Sequence, residues 1–401
     1  MRLTHLSLHN FRNYARLDLE VPAGNTLIVG RNAQGKTSLL EAIYMLATFA
    51  SFHAENDREL IHFDAQPAAN LTVARIVAHF VKARRSRELE LRIIREPTGF
   101  NGYRVRKEVL LDKQKFKLNE ALGALNAVLF LPQMLQVVDG SPHHRRRYLD
   151  LALAQVVPQY PAVLAAYNKV VTQRNALLKQ LSERGGDPEQ LAYWDQELAS
   201  LGARLIRARI AATQEIELLA AQIHLELTRG AEVLRLDYRP AYDPLRLTNG
   251  QLALQINDPK DRAGFAEDAI QHGFAAALRE SRAEEIARGV TTLGPHRDEL
   301  RFICNGRVDL GTYGSRGQVR TTMLTLKLAE VAWMKHKTGH WPLLLLDEVL
   351  AELDDQRRAD LLARMAACEQ VLATTTDLGM FDADFVAQAR VWQVEGGRVT
   401  L

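Results

Sequence analysis

The residues Gly30-Arg31-Asn32-Ala33-Gln34-Gly35-Lys36-Thr37 satisfy the pattern G-x-x-x-x-G-K-[ST] with no position missing, and Ser38 follows. A phosphate chain concentrates negative charge, and a ring of backbone N–H groups at a helix N-terminus answers it most simply. Gly30 and Gly35 let the backbone curl close, Lys36 would reach the β- and γ-phosphates, and the Thr37 hydroxyl would take one Mg²⁺ position. A second constellation lies more than three hundred residues further on. Trp341-Pro342-Leu343-Leu344-Leu345-Leu346-Asp347-Glu348 is an apolar run that ends in two acids. Asp347 would hold Mg²⁺, directly or through water, and Glu348 is placed to polarise a water for attack on a γ-phosphate. No Asn/Thr-Lys-x-Asp guanine-reading motif follows the loop, which favours ATP as the nucleotide.

These residues need particular elements to position them. Asn25–Val29 reads as a short buried strand before the loop and Thr37–Ile43 as the opening of a helix continuing to Ala50. The run ending at Asp347 reads as a buried parallel strand delivering its acids at the carboxyl edge, where α/β sheets place ligands. Leu3, Leu6, Leu8 and Phe11, then Leu17, Leu19 and Val21, alternate as two antiparallel strands joined through Asn10–Tyr14. Further strands are expected over Leu71–Val81, Arg87–Arg95 and Tyr103–Leu111. From about Tyr148 the texture becomes helical. Leu164, Tyr167, Val171, Leu178 and Leu181, then Leu191, Trp194, Leu198, Leu201 and Leu205, keep helical spacing on either side of a Gly185-Gly186 break. This predicts an antiparallel helical hairpin, either a protruding arm or part of a bundle, with a further helix over Ala266–Arg288. The helical region is therefore inserted into an α/β ATPase fold. The expected division is 1–147 and 289–401 for the ATPase lobe and 148–288 for the helical lobe.

The 401 residues are 47% hydrophobic and 25% charged with net charge +3, an ordinary globular composition with no global basic field. Two cysteines, Cys304 and Cys368, give no disulfide framework and suit a reducing compartment. There is no signal-like opening and no apolar run near ~18 residues, so a cytoplasmic protein without membrane segments is expected. The basic residues are uneven. Twelve lie between Lys82 and Lys117 against five acids, as either a solvated sheet face or a surface tracking nucleic-acid phosphates. Arg84, Arg85 and Arg87 are the candidates there. Arg145, Arg146 and Arg147 form a second cluster at a helix start, where cations face the unfavourable end of the dipole. That placement points to an external anion or to acidic neighbours, with Arg147 in reach of Asp150 one turn on. Arg204, Arg207 and Arg209 form a third, helix-borne group.

Asp347-Glu348 followed by Val349–Asp354 has the spacing of an ABC-type ATPase's acidic strand and D-loop. Tyr313-Gly314-Ser315-Arg316-Gly317-Gln318 resembles the ABC signature Leu-Ser-Gly-Gly-Gln, with Arg316 in place of a glycine and a helix expected from Val319. Within that class the chain resembles the RecF family of bacterial recombination and repair proteins. The similarity lies in Leu6–Tyr14, in Pro132–Asp150 and in Gly294-Pro295-His296-Arg297-Asp298-Glu299-Leu300. The resemblance implies an ABC-type ATPase head, a mixed β-sheet with helices and an inserted helical lobe. It implies that Ser315, Gly317, Gln318 and Asp354 meet ATP bound to the opposite subunit, closing an ATP-dependent homodimer on double-stranded DNA near single-strand gaps. RecR, with RecO and RecA downstream, would be its partners, and slow DNA-dependent hydrolysis would reset the clamp. Gln133 stands where this family normally carries an acid, and would take the role of the Q-loop glutamine at Mg²⁺ and water. The usual switch histidine is replaced by threonines, Thr375 or Thr376. The rival readings are an ATP-switched scaffold with negligible turnover and a transporter's nucleotide-binding subunit.

Overall fold

The structure is a computed structural model describing residues 1–65, 71–98, 102–245, 262 and 264–400. It divides into two compact units, Met1–Met134 with Lys327–Leu401, and Leu135–Leu326. The first begins with strands β1 (Arg2–Phe11), β2 (Tyr14–Glu20) and β3 (Gly24–Val29), then helix α1 (Lys36–Thr48). Strands β4 (Thr72–Lys82), β5 (Arg85–Thr98), β6 (Gly102–Leu111) and β7 (Gln114–Phe116), helix α2 (Leu118–Ala121) and strand β8 (Ala127–Phe130) follow.

The middle unit opens with helices α3 (Gln136–Asp139), α4 (Pro142–Val156), α5 (Tyr160–Arg184) and α6 (Ala192–Leu227). Strand β9 (Leu234–Arg239), helix α7 (Glu267–Arg288), strands β10 (Glu299–Cys304) and β11 (Val308–Asp309) and helix α8 (Leu310–Tyr313) complete it. Helix α9 (Arg316–Thr338) leads into β12 (Leu343–Asp347), α10 (Asp355–Ala366), β13 (Gln370–Thr375), α11 (Ala383–Gln388), β14 (Arg390–Glu395) and β15 (Arg398–Thr400).

Two six-stranded sheets build the first unit. One is antiparallel in the order β2-β1-β4-β5-β6-β7; the other runs β15-β14-β3-β13-β12-β8. In the second, β14, β3, β13, β12 and β8 are mutually parallel, and only the edge strand β15 is antiparallel. Strands buried on both faces read as continuous apolar runs, which is why Leu343–Leu346 and Ala127–Phe130 carry no alternation. Helix α1 is apolar around most of its circumference, and Leu39, Leu40, Ile43, Tyr44, Met45 and Leu46 are all buried. Such a helix belongs inside a core. It packs on β12, β8 and β13 of the parallel sheet and on β4 and β5 of the antiparallel one, so its N-terminus is rigidly held.

In the middle unit α5 and α6 form the expected hairpin through Gly185-Gly186 and pack with α7. At 1.5 Å per residue the 36-residue α6 is about 54 Å long. Arg174 and Arg209 are almost wholly buried among these helices. Arg174 pairs with Asp195 and Glu285, and Arg209 with Asp150 and Asp298. Arg209 is therefore a core residue rather than an outward cation. This unit extends beyond the expected 148–288 at both ends. At the C-terminal end the reason is strand pairing: β10 aligns Glu299–Cys304 antiparallel to Arg239–Leu234 of β9, drawing the segment up to the signature into the helical unit.

Candidate functional site

The loop Gly30–Gly35 leaves β3 and enters α1 as a tight arch. Two glycines are needed for different reasons. A Cβ on Gly30 would stand 2.3 Å from the Val394 carbonyl oxygen, and Gly35 has φ +115° with its Cβ position 2.4 Å from Asn13 Nδ2. Most of the loop's carbonyls are held by this chain. Lys36 Nζ donates to the Gly30 and Arg31 oxygens at 2.7 and 3.0 Å. Asn13 Nδ2 and the Gly397 amide donate to Gln34 O, and the Tyr14 hydroxyl donates to Gly35 O. With most of its oxygens tied back, the arch presents its amide side to an anion.

The acids at the end of β12 come to the same place. Thr37 Oγ1 donates to the Asp347 carboxylate, 2.9 Å from Oδ2 and 3.0 Å from Oδ1, and Lys36 Nζ lies 3.0 Å from Glu348 Oε1. Thr374, opposite Asp347 in the parallel register of β13, donates to Asp347 Oδ1 at 2.7 Å. The same hydroxyl oxygen accepts the Glu348 amide at 3.0 Å. Glu348 itself is left-handed, φ 53°. Burial holds the Asp347 carboxyl above its ordinary range, against the hydrogen bonds from Thr374 and Thr37. A hydroxyl and a carboxylate so close together, in a site that penalises the bare anion, are a donor set for a hard oxygen-seeking cation such as Mg²⁺.

A cavity of about 570 Å³ collects these groups, a volume suited to a cofactor-sized ligand. Asn32, Ala33, Gln34, Gly35, Lys36, Thr37, Ser38, Gln133, Asp347 and Glu348 line it. Gly30 and Arg31 stand behind, as the carbonyls that fix Lys36. Gln133 sits in a short 3₁₀ turn, Pro132–Leu135, with its side chain exposed at the cavity. The lining also includes residues that sequence reasoning did not single out: Arg12, Asn13, Glu59, Ile61 and Phe63. Arg12 makes a two-pronged ion pair with the buried Glu41 of α1 and a further bond to Glu59 O. Phe63 is 84% exposed and stacks on His62. The signal for Arg12 and Asn13 was available in the Leu6–Tyr14 block; Phe63 had none.

In the middle unit, the signature segment starts α9 three residues earlier than expected. Ser315 and Gln318 cap the helix reciprocally. Ser315 N donates to Gln318 Oε1 at 3.0 Å, and Gln318 N donates to Ser315 Oγ at 3.2 Å. Its oxygen accepts that amide, and the Ser315 hydroxyl keeps a proton to donate. Tyr313, Ser315, Arg316 and Gly317 are exposed, and a Cβ on Gly317 would meet only Ser315 Oγ, at 4.0 Å. Gln318 Nε2 is bound to Glu232 within the chain. Asp354 caps α10, accepting the Arg357 amide at 2.9 Å, and this bond holds its carboxyl below the usual range. At the switch position, Thr375 Oγ1 donates to Asp377 O at 2.8 Å, while Thr376 is exposed.

The chain matches known proteins over its whole length. The RecF/RecN/SMC N terminal domain family matches over residues 2–400. The "DNA replication and repair protein RecF" of Chloroflexus aurantiacus is 42% identical over 409 residues, covering 100% of this chain and 99% of that one. That of Roseiflexus castenholzii is 40% identical over 411 residues, covering 100% and 99%. The chain belongs to the RecF family. A solved RecF structure, the recombination mediator protein RecF-ATPrS of the RecFOR pathway, superposes with a TM-score of 0.82 at 29% identity. It covers 99% of this chain and 97% of its own. The fold is that of an SMC-like ATPase head. No helix among the described residues is long and apolar enough to cross a membrane.

The basic candidates of this RecF-family chain separate. Lys82 is clamped to Gly123 O, Ala124 O and Asn126 Oδ1. Arg87, Arg92, Arg106, Lys107, Lys115 and Lys117 all have acidic partners. Much of the twelve-residue excess is thus a self-paired sheet face. Arg84 and Arg85 differ. They lie at the tight β4–β5 turn, exposed, with no acidic partner among the described residues. Lys113 projects from the β6–β7 turn beside them, since the Asp112 amide donates to Glu88 O. Arg145 is buried, with Nε and Nη2 on the Glu299 carboxylate and Nη1 on Gly140 O. Arg146 Nη1 donates to Asp298 O. The acidic-neighbour reading fits Arg145 through Glu299, and Asp150 binds Arg209 and Tyr160. The structure also gives Arg147 interactions within the chain.

Proposed function

We propose that this chain binds ATP with Mg²⁺ at the Gly30–Thr37 loop. Lys36 would exchange its hold on Glu348 and the loop carbonyls for β- and γ-phosphate oxygens. Thr37 and Asp347 would hold the metal with Gln133 near it, and Phe63 is at hand for the base. Once Lys36 turns to phosphate, Glu348 is freed to orient and deprotonate water. The observation that carries this reading is the Thr37–Asp347 and Lys36–Glu348 pairs meeting in one cavity.

ATP then closes a homodimer, with Ser315 and the α9 N-terminus of one subunit facing the γ-phosphate of the other. Support comes from an exposed serine whose hydroxyl keeps a proton to donate, a helix N-terminus already capped, and a glycine whose Cβ position is open in its own chain. Asp354 borders the same joint. The dimer clamps double-stranded DNA near single-strand gaps through Arg84, Arg85 and Lys113, with Arg87 beside them. It works with RecR, and through RecO supports RecA loading, in line with the RecFOR pathway named for the solved relative. Turnover is slow and DNA-stimulated, since Thr375 is held by its own turn and no histidine follows it. On this reading the protein acts in the cytoplasm.

The test is sedimentation with ATP and Mg²⁺, with and without duplex DNA, for the wild type, Lys36→Met, Ser315→Arg and Glu348→Gln. The wild type should dimerise, more so on DNA. Lys36→Met and Ser315→Arg should stay monomeric, and Glu348→Gln should give a long-lived dimer with lost turnover. A wild type that binds ATP and remains monomeric sinks the clamp. A Glu348→Gln dimer no longer-lived than wild type would instead favour a switched scaffold without useful hydrolysis.

A further inference from the structure

The geometry points to Glu232 as the residue that positions the signature segment, acting through Gln318, and ties it to the end of α6. This inference rests on the reading of Ser315–Gln318 as the segment that meets nucleotide in trans. Glu232 lies in the turn between α6 and β9. Its Oε1 accepts from Gln318 Nε2 at 2.9 Å, and its Oε2 lies 3.2 Å from His224 Nε2. His224 is fully buried on α6, and its Nδ1 is 3.0 Å from Thr325 Oγ1, two and a half turns along α9 from the cap. The turn is pinned as well: Thr228 Oγ1 donates to His224 O at 2.8 Å and accepts the Glu232 amide at 3.3 Å.

Gln318 has one amide group and uses both ends of it. The oxygen takes the Ser315 N–H and the nitrogen gives a proton to Glu232. Which way the amide faces decides whether the Ser315 backbone is held, and a charged acceptor on the nitrogen side settles that choice. Without Glu232 the amide is free to rotate, the reciprocal cap loosens, and the Ser315 hydroxyl loses its fixed direction. A trans contact that depends on preformed donors weakens accordingly. Helix α6 is the long limb of the helical hairpin. Any shift of its C-terminal end therefore reaches Gln318 through His224 and Glu232, making the signature responsive to what the hairpin touches.

The test uses the full chain with ATP and Mg²⁺, reading three quantities: dimerisation by sedimentation, ATP binding by equilibrium dialysis, and melting without nucleotide. Glu232→Ala and Gln318→Ala should each raise the protein concentration for half-dimerisation about tenfold or more. ATP binding, read at a protein concentration where every form is monomeric, should stay within about twofold, because a monomer's phosphate loop belongs to the other unit and Gln318 meets only a partner's nucleotide. The double variant should be no worse than either single one. Gln318→Glu, which sets two carboxylates face to face, should also lose dimerisation. Adding Glu232→Gln to it exchanges donor and acceptor and should restore the dimer. This swap keeps the question open to refutation even if Glu232→Ala melts early, since loss of fold alone is not repaired by exchanging two side chains. A Glu232→Ala variant that dimerises like wild type, single-variant effects that multiply, or a swap that fails to restore dimerisation overturns the inference alone. A wild type that binds ATP without dimerising overturns the trans reading, and this inference with it.

Discussion

The Thr374 hydroxyl donates to Asp347 Oδ1 across 2.7 Å, from one parallel strand to the next. Its oxygen also accepts the Glu348 amide, so one buried hydroxyl sets the carboxylate that would hold metal and the backbone that carries the base. Thr374→Val keeps the shape and removes both bonds. Groups that orient metal ligands typically matter by about 10–100-fold. Thr374→Val should therefore bind ATP nearly as well as wild type, require more Mg²⁺, and turn ATP over at least about tenfold more slowly. Thr374→Ser should recover most of the loss. Steady-state turnover across a Mg²⁺ series checks this, and wild-type turnover in the valine variant would remove Thr374 from the site.

Two glycines give opposite expectations. Gly35→Ala forces a side chain into φ +115° and against Asn13 and Tyr14, a local strain of about 1–3 kcal/mol placed on the arch itself. ATP binding should be lost with little change in circular dichroism. Gly317→Ala meets open space in its own chain. The monomer should melt at or slightly above the wild-type temperature, since alanine is the better helix former, while the ATP-dependent dimer weakens. Unchanged dimerisation in Gly317→Ala would mean that no second subunit approaches this glycine closely.

The phosphate loop and the acidic strand were legible because their chemistry is written in contiguous residues with matching flanks. The same is true of α5 and α6, whose spacing repeats over many turns. Thr374 was not legible. Its partner is 27 residues away, and only the register Asp347↔Thr374 brings them together. The neighbouring Thr375 and Thr376 looked equally suitable in the sequence. Arg145 and Arg209 could not be placed from the sequence for a related reason. A cation is the same letter whether it faces solvent or sits against Glu299 or Asp298, and those acids lie beyond any local window. The pairing of β9 with β10 was not legible either, because both strands are short and the paired residues lie sixty to seventy apart.

His296 links stability to pH. Its Nε2–H donates to Thr291 O and its Nδ1 accepts from the Tyr167 hydroxyl, an arrangement for a neutral ring. Burial lowers its pKa from 6.5 to about 4. The unfolded chain therefore binds more protons between these values. Stability from this group is fully present above pH 6.5 and is lost as pH falls towards 4, by up to about 3 kcal/mol. Denaturant titrations at pH 7 and pH 5 should show this loss, and a His296→Gln variant should show a shallower one. An equal slope in the variant would place the dependence elsewhere.

Arg84 and Arg85 should behave differently from Arg145 towards DNA. The first two are exposed at the β4–β5 turn without acidic partners among the described residues, where a phosphate can replace water at little cost. Each phosphate contact contributes roughly 0.9 to the slope of log affinity against log salt. Arg84→Ala combined with Arg85→Ala should therefore weaken duplex binding at low salt and reduce that slope by about 2, with no change in melting temperature. Arg145→Ala should do the reverse. It strands Glu299 and the Gly140 carbonyl in a largely buried setting, and should destabilise the fold by more than about 2 kcal/mol while leaving the salt slope of the folded protein intact. Fluorescence anisotropy of a labelled duplex over a salt series, beside thermal melts of both variants, separates the two. An unchanged slope in the double variant would return the β4–β5 turn to an ordinary solvated sheet edge and move the DNA surface to another face.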